Sequence, residues 1–425
     1  MNKNLFLLWQ GQIISQLGMQ AYTIAMMFWL MASSGSSAAM SVIFALSTLP
    51  QIIFGPVAGV IADRHSNRRI IITCDLLRGS TVLMMTGVLF SGLFSTVQVV
   101  MLFGLTACIN GGCKAFFQPA IDAWIPQLTP PHKLPKVMAT FGATTQASVV
   151  LGQASAGMLF TMLGAPLLLL VDAVSYYLSA FSEFFIKQQP KNEGDKATQL
   201  TVSVQNYKND LVTGWRYLSG TSGMLPAALS LASINFFLAP VMLLLPFYVA
   251  EQILAGAQRY GFLLASLALG SLLGYSFSPY LKIIIRKRSA LMLFALHCFA
   301  FSLLVFSLSK NAYGALLSFF TAGICLGVFN LQGITLFQTA VEPAIRARVL
   351  SFIMTVSAIF LPLGSLAGGL WGELTSQDTA SIFCTLALCL SGLTIGVGLS
   401  RKTTDFLDTE ALTVTDCSDK IRENV

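Results

Sequence analysis

Twelve apolar runs, each long enough to cross a bilayer, alternate with short polar breaks along this chain. A helix spanning the hydrocarbon core needs about 20 mostly apolar residues. Runs of that kind fall at 5–33, 38–62, 70–91, 97–118, 136–161, 165–187, 224–250, 258–282, 288–309, 312–338, 348–373 and 378–400. A polar stretch divides them into two sets of six. Within it Val204, Tyr207, Leu211, Trp215 and Leu218 recur at three- and four-residue intervals, one face of a helix. That spacing predicts an amphipathic helix on the inner membrane surface. The expected organisation is a six-helix bundle over 1–187, a cytoplasmic linker over 188–223, a second bundle over 224–400 and a tail over 401–425. The tail mixes both charge signs and reads as a solvated, mobile end. Gln10, Gln12, Gln16 and Gln20 interrupt the first run, which is therefore read as a retained helix rather than a cleaved leader.

Composition agrees with the pattern. Apolar types make up 55% of 425 residues and charged types 10%, against roughly 25% charged in an ordinary soluble domain. The net charge of +7 reports topology, not affinity for nucleic acid. With the N-terminus inside, 21 of the 25 lysines and arginines fall in cytoplasmic segments, and only Arg259 and Lys310 fall outside. By the positive-inside rule both termini face the cytoplasm. The eight cysteines form no CxxC or Cys/His grouping, so neither a disulfide framework nor a metal site is expected. His65, His132 and His297 are scattered, and no nucleophile motif or phosphate-cradling glycine loop occurs. This excludes an enzyme, and no cofactor is expected.

The two sets of six echo each other. NGGCKAFFQ (Asn110 to Gln118) in the fourth run matches NLQGITLFQ (Asn330 to Gln338) in the tenth, and GQASAG (Gly152 to Gly157) matches GSLAGG (Gly364 to Gly369). Such correspondence points to a duplicated transporter. The expected fold class is an all-α polytopic membrane protein, with twelve transmembrane helices in two pseudo-symmetric six-helix bundles.

Charge returns abruptly in GVIADRHSNRR, residues 59 to 69, between the second and third runs. In that place it resembles the signature of the major facilitator superfamily. Gly59, Asp63, Arg64 and Arg68 match, Arg69 adds a charge just beyond, and Ser66 and Asn67 depart from the pattern. LFLLWQGQIISQLG, FFQPAIDAWIPQL, LLLLVDAVSYYLSA and EPAIRARVLSF resemble the drug-exporting branch that includes macrolide efflux proteins. The resemblance implies a monomeric secondary transporter of a bacterial cytoplasmic membrane. Its expected activity is proton-coupled export of amphipathic small molecules by alternating access. Related branches export siderophores or flip lysophospholipids, so an anionic metabolite or a lysolipid is the alternative cargo. The resemblance also implies that Asp63 docks on the cytoplasmic start of span eleven. A carboxylate beside a helix N-terminus gains about 0.3–2 kcal/mol. Arg64, Arg68 and Arg69 would pair with acids or with lipid phosphates.

Ionisable residues inside spans are functional candidates because hydrocarbon penalises them. Lys114, in span four, either meets an anionic substrate group or reaches back to the interface. Asp75 and Arg78 are three residues apart on one helical face and can pair. Asp172, the deepest acid, in span six, is a candidate proton carrier with Asp75 and Arg78, the alternative for all three being a structural role in peripheral helices. Gln16, Gln20, Asn110, Gln146, Gln153, Asn235, Asn330 and Gln332 supply neutral hydrogen-bonding groups, either to a central cavity or between helices.

Overall fold

A computed structural model describes residues 3–186, 204–253, 256–285, 287–343 and 345–408. Its helices are α1 (Lys3–Ser34), α2 (Ser37–Arg64), α3 (Asn67–Ser91), α4 (Thr96–Leu128), α5 (Leu134–Phe184), α6 (Val204–Gly220), α7 (Met224–Glu251), α8 (Ala257–Ile284), α9 (Arg288–Ser307), α10 (Ala312–Ala340), α11 (Arg346–Leu374), α12 (Thr379–Leu399) and α13 (Arg401–Leu407). Eleven of them are long and apolar enough to cross a membrane. The twelfth crossing is hidden in α5. A straight helix of its 51 residues would be about 75 Å long, more than twice the hydrocarbon thickness. Gly164 breaks it with φ 73° and ψ 175°, a conformation that glycine adopts without a Cβ penalty. Pro166, lacking an N–H, then sits in the first turn of the second arm, where none is needed.

Polar residues set the helix starts. Ser36, Ser66, Asn311 and Asp378 each accept a backbone N–H in the first turn of the helix that follows, and Ser95 with Gln98 forms a full capping box before α4. Small residues set the packing inside each half. Gly270 and Gly274 of α8 meet Gly323 and Gly327 of α10 reciprocally, backbone against backbone, the close approach that glycines four apart allow between spans. Gly11 and Gly18 of α1 face Ser182, Ser179 and Ser175 on the second arm of α5.

The duplication seen in the sequence is repeated in the contacts. An offset of 220 residues carries Asn110 to Asn330, and it also carries Ser37 to Ala257 and Ser41 to Gly261. An offset of 212 carries Gly152 to Gly364 and Gly157 to Gly369. Gly157 packs on the backbone of Ala257 and on Gly261, while Gly369 packs on Ser37 and Ser41. The two seams joining the halves, α5 with α8 and α11 with α2, are therefore copies of one seam.

One expectation for the polar segments changes, and the other gains a protein contact. The linker helix α6 meets protein: Asp210 pairs with Arg348 Nε at 2.8 Å, Gly214 lies against the Arg348 carbonyl, and Trp215 stands 5.8 Å from the Phe352 ring. This contact leaves Trp215 47% exposed on the same helix. Residues 401–408 are likewise folded. Phe406 and Leu407 are buried, and the Asp408 carboxylate accepts from the Ser289 N–H and hydroxyl, both at 2.8 Å, closing the start of α9. The rest of the tail lies outside the described residues, as does linker segment 187–203.

Gln332 illustrates the interhelical role of a buried amide. It is 4% exposed and donates to Ser278 Oγ at 2.9 Å across the α8–α10 contact. Gln332→Ala should cost about 0.6–1.7 kcal/mol of stability and leave the KM for transport unchanged, as thermal unfolding and initial rates on one preparation will show.

Candidate functional site

The halves converge at the end that carries the α1–α2, α7–α8 and α11–α12 connections. Beyond the paired glycine seams, the Tyr260 hydroxyl reaches Met27 Sδ at 2.9 Å, and its ring meets Phe28 edge-on at 5.3 Å. Ser37 Oγ donates to the Gly369 carbonyl at 2.8 Å. Glu373, at the end of α11, lies on the N-terminus of α2, where its Oε2 accepts from Ser36 Oγ at 3.1 Å and from the Ala38 N–H at 3.4 Å. Gln377 Nε2 donates to the Gly35 carbonyl. Helix α4 packs on α1, α2 and α3, and α10 on α8, α9 and α11, so neither forms a seam between the halves, while α6 meets both α11 and α2.

A cavity of about 270 Å³ is walled by α1, α2, α3, α4, the second arm of α5 and, from the other half, Leu361 of α11. Its polar side presents Tyr22, Gln51, Arg78, Asn110, Lys114 and Tyr176, and its apolar side Met19, Met26, Met27, Phe44 and Leu361. Lys114 is exposed within it. Arg78 is 6% exposed, with its guanidinium 4.8 Å from the Phe117 ring and 5.7 Å from the Tyr176 ring. Such stacking holds a cation where water is scarce.

Behind this wall lie carboxyls. Asp75, Asp172 and Glu183 are all 0% exposed. Among the described residues, neither oxygen of Asp75 or of Asp172 has a hydrogen-bond partner, so the Asp75–Arg78 pairing expected from spacing is absent as a hydrogen-bonded contact. Glu183 Oε1 accepts from Gln12 Nε2 and Ser179 Oγ, both at 3.4 Å. Asp172 faces α1, and a Cβ at Gly18 would stand 2.7 Å from its Oδ1.

Of the nine cavity candidates, Asn110 and Lys114 line this cavity. Gln20 packs against Gly152, and the Gln153 backbone against Gly261. Gln16, Gln146, Asn235 and Asn330 are half-buried on α1, the first arm of α5, α7 and α10, outside this lining. Gln332 belongs to the α8–α10 contact. In the charged loop, Arg68 donates to the Phe184 carbonyl and lies 5.1 Å over the Phe184 ring, a cation at the C-terminal end of α5. Arg69 is exposed, and a Cβ on Gly59 would meet open space. Ser66 sits at φ −68° and caps α3 through Arg69 N, so this turn has no need of the glycine that the superfamily pattern expects. The side chains of Asp63 and Arg64 lie outside the described residues.

Glu183 and Glu373 escaped the sequence reading. Glu183 had a signal: Asp172, Ser175, Ser179 and Glu183 recur at three- and four-residue intervals, a polar stripe down an otherwise apolar helix. Glu373 had none, since a single acid at a span end is commonplace.

Two helical halves sealed at one end, around a cavity with ionisable walls, define a polytopic transporter. The family model described as "Transmembrane secretion effector" matches residues 1–416, and the chain belongs to that family of the major facilitator superfamily. Macrolide efflux protein A of Streptococcus pyogenes is 24% identical over 399 residues, covering 91% of this chain and 94% of the relative. Among solved structures, the nucleoside transporter NupG superposes with a TM-score of 0.71 at 15% identity, over 96% of this chain and 100% of that one. A bacterial homologue of the iron transporter ferroportin, in its inward-facing state, gives 0.70 at 15% identity, over 93% and 99%. The chain is thus a multi-pass membrane transporter of small molecules, not an enzyme.

Proposed function

We propose that this transporter exports amphipathic small molecules from the cytoplasm by alternating access, in exchange for protons. The single observation that carries the reading is the cavity, which sets a wall of methionines and Phe44 against Lys114, Asn110 and Tyr22. Such a space suits a molecule with one apolar face and one polar face. We read the end opposite the glycine seams as cytoplasmic from its excess of lysine and arginine, and the cavity as loading from that side. Similarity to a protein named for macrolide efflux supports the outward direction.

Charge balance supports the proton. Asp75, Asp172 and Glu183 outnumber Arg78 in one buried region, and hydrocarbon does not tolerate two uncompensated negative charges. Protons that arrive and leave as the halves rock would restore balance. The test is energised transport in proteoliposomes with a panel of amphipathic dyes, with and without imposed gradients. A pH gradient should accelerate wild-type flux, and Asp172→Asn should lose that acceleration while still exchanging internal for external dye. If gradients of protons and of sodium both leave flux unchanged, the coupling is wrong. If energised cells accumulate the dyes, the direction is wrong.

A further inference from the structure

Resting on the exporter reading, we infer that the cavity selects amphipathic molecules bearing an anionic group, a carboxylate, sulfonate or phosphate, which Lys114 and Arg78 receive. The sign of the wall is the first observation. Among the described residues two cationic side chains line the cavity and no acid does, because Asp75 and Asp172 stand outside the lining. The second observation is a set of polar groups with nothing to bind. Arg78, more than nine-tenths buried, has an unpartnered Nε, and among the described residues the Tyr22 hydroxyl and Asn110 Oδ1 are also buried without partners. Native structures leave few such groups unpaired. The guanidinium, the hydroxyl and Lys114 are all donors on this lining.

The two cations differ in what fixes them. Arg78 is held between Phe117 and Tyr176, so its planar fork is oriented before any ligand arrives and matches the geometry of a carboxylate or phosphate. Lys114 is exposed to the cavity on a flexible stem and can follow an anionic group as it enters. A cationic amphiphile of the same size would meet two like charges and, among the described residues, no counter-ion on this wall. The polarisable thioethers of Met19, Met26 and Met27 adapt to many apolar bodies, so selection falls on the charge and not on the shape of the apolar part.

The probes are three dansyl compounds of similar size: dansyl-phenylalanine (anionic), its amide (neutral) and dansylcadaverine (cationic). Binding is read by fluorescence to the full-length protein in lipid nanodiscs, with empty discs subtracted, and export is read in energised inverted vesicles. Wild type should bind the anion at least tenfold more tightly than the amide. Lys114→Gln should reduce that preference to about threefold or less, and Arg78→Gln should do the same where it folds. Equal binding of anion and amide, or tighter binding of the cation, overturns the inference, and so does a preference that survives Lys114→Gln. Energised export of the neutral or cationic probe in those cases leaves the exporter reading standing. Absence of energised export for all three, with inserted protein present, overturns both.

Discussion

Replacing Gly157 with leucine should abolish transport while leaving a folded, inserted protein that is open on its outer side. A Cβ at Gly157 would collide with the Ala257 carbonyl, and one at Gly261 with the Gln153 carbonyl. Both collisions are with backbone, which cannot rotate away as a side chain can. Gly157 and Gly261 belong to different halves, so a side chain there pushes the halves apart without disturbing the core of either. The predicted duplication gives an internal control, since Gly369 meets Ser37 and Ser41 in the copied seam and Gly369→Leu should have the same phenotype. Gly274 should behave differently. It meets Ile324 and Gly327 within the C-terminal half, so Gly274→Leu should destabilise that half and reduce the yield of folded protein. The readout is labelling of Ser37→Cys, introduced after the native cysteines have been replaced by serine. Ser37 is fully buried in the sealed end, and an impermeant maleimide added outside should react at least tenfold faster in the Gly157→Leu background. Unchanged labelling together with normal transport would show that the seam does not gate the pathway.

The architecture was legible because hydrocarbon imposes length and composition on every span. Twelve crossings, two halves and the register of the duplication all follow from features that a single sequence carries. Even the merged α5 was legible as two runs, since Gly164 and Pro166 mark the place where a continuous helix would overrun the bilayer. The site was legible only where chemistry is rare. Lys114 and Asn110 stood out because charge and amide are scarce in spans, and both line the cavity. Amides elsewhere gave the same signal for a different physical reason: Gln332 bonds Ser278, and Gln20 fills space beside Gly152. Spacing likewise placed Asp75 and Arg78 on one face, but it could not show that Arg78 turns to Phe117 and Tyr176 instead. Which neighbour a side chain chooses depends on helices distant in sequence, and periodicity along one helix does not contain that information.

Asp63→Asn and Glu373→Gln should shift the transporter in opposite directions, and the double variant should lie between them. The antiparallel pair α2 and α11 offers a helix N-terminus at each of its ends. At the end proposed to be outer, Glu373 of α11 accepts from Ser36 Oγ and the Ala38 N–H at the start of α2. At the inner end the superfamily resemblance implies the converse contact, Asp63 of α2 on the start of α11. Under the proposed alternating access these contacts exclude each other, since closing one end parts the helices at the other. A carboxylate at a helix N-terminus is worth about 0.3–1 kcal/mol when exposed and up to about 2 when partly buried. Glu373 is exposed, so losing its charge should raise the outward-open fraction about two- to fivefold. Ser37→Cys labelling from outside would report the change. Asp63→Asn should lower the outward-open fraction and reduce transport by up to about thirtyfold, with membrane insertion intact and Thr48→Cys, on the cavity lining, remaining accessible from inside. Near-normal transport by Asp63→Asn would remove the inner latch from the mechanism, and equal labelling in Glu373→Gln and wild type would remove the outer one. If each single variant shifts labelling as expected but the double variant simply adds their losses in transport, the two carboxylates serve stability at their own ends and are not opposing arms of one equilibrium.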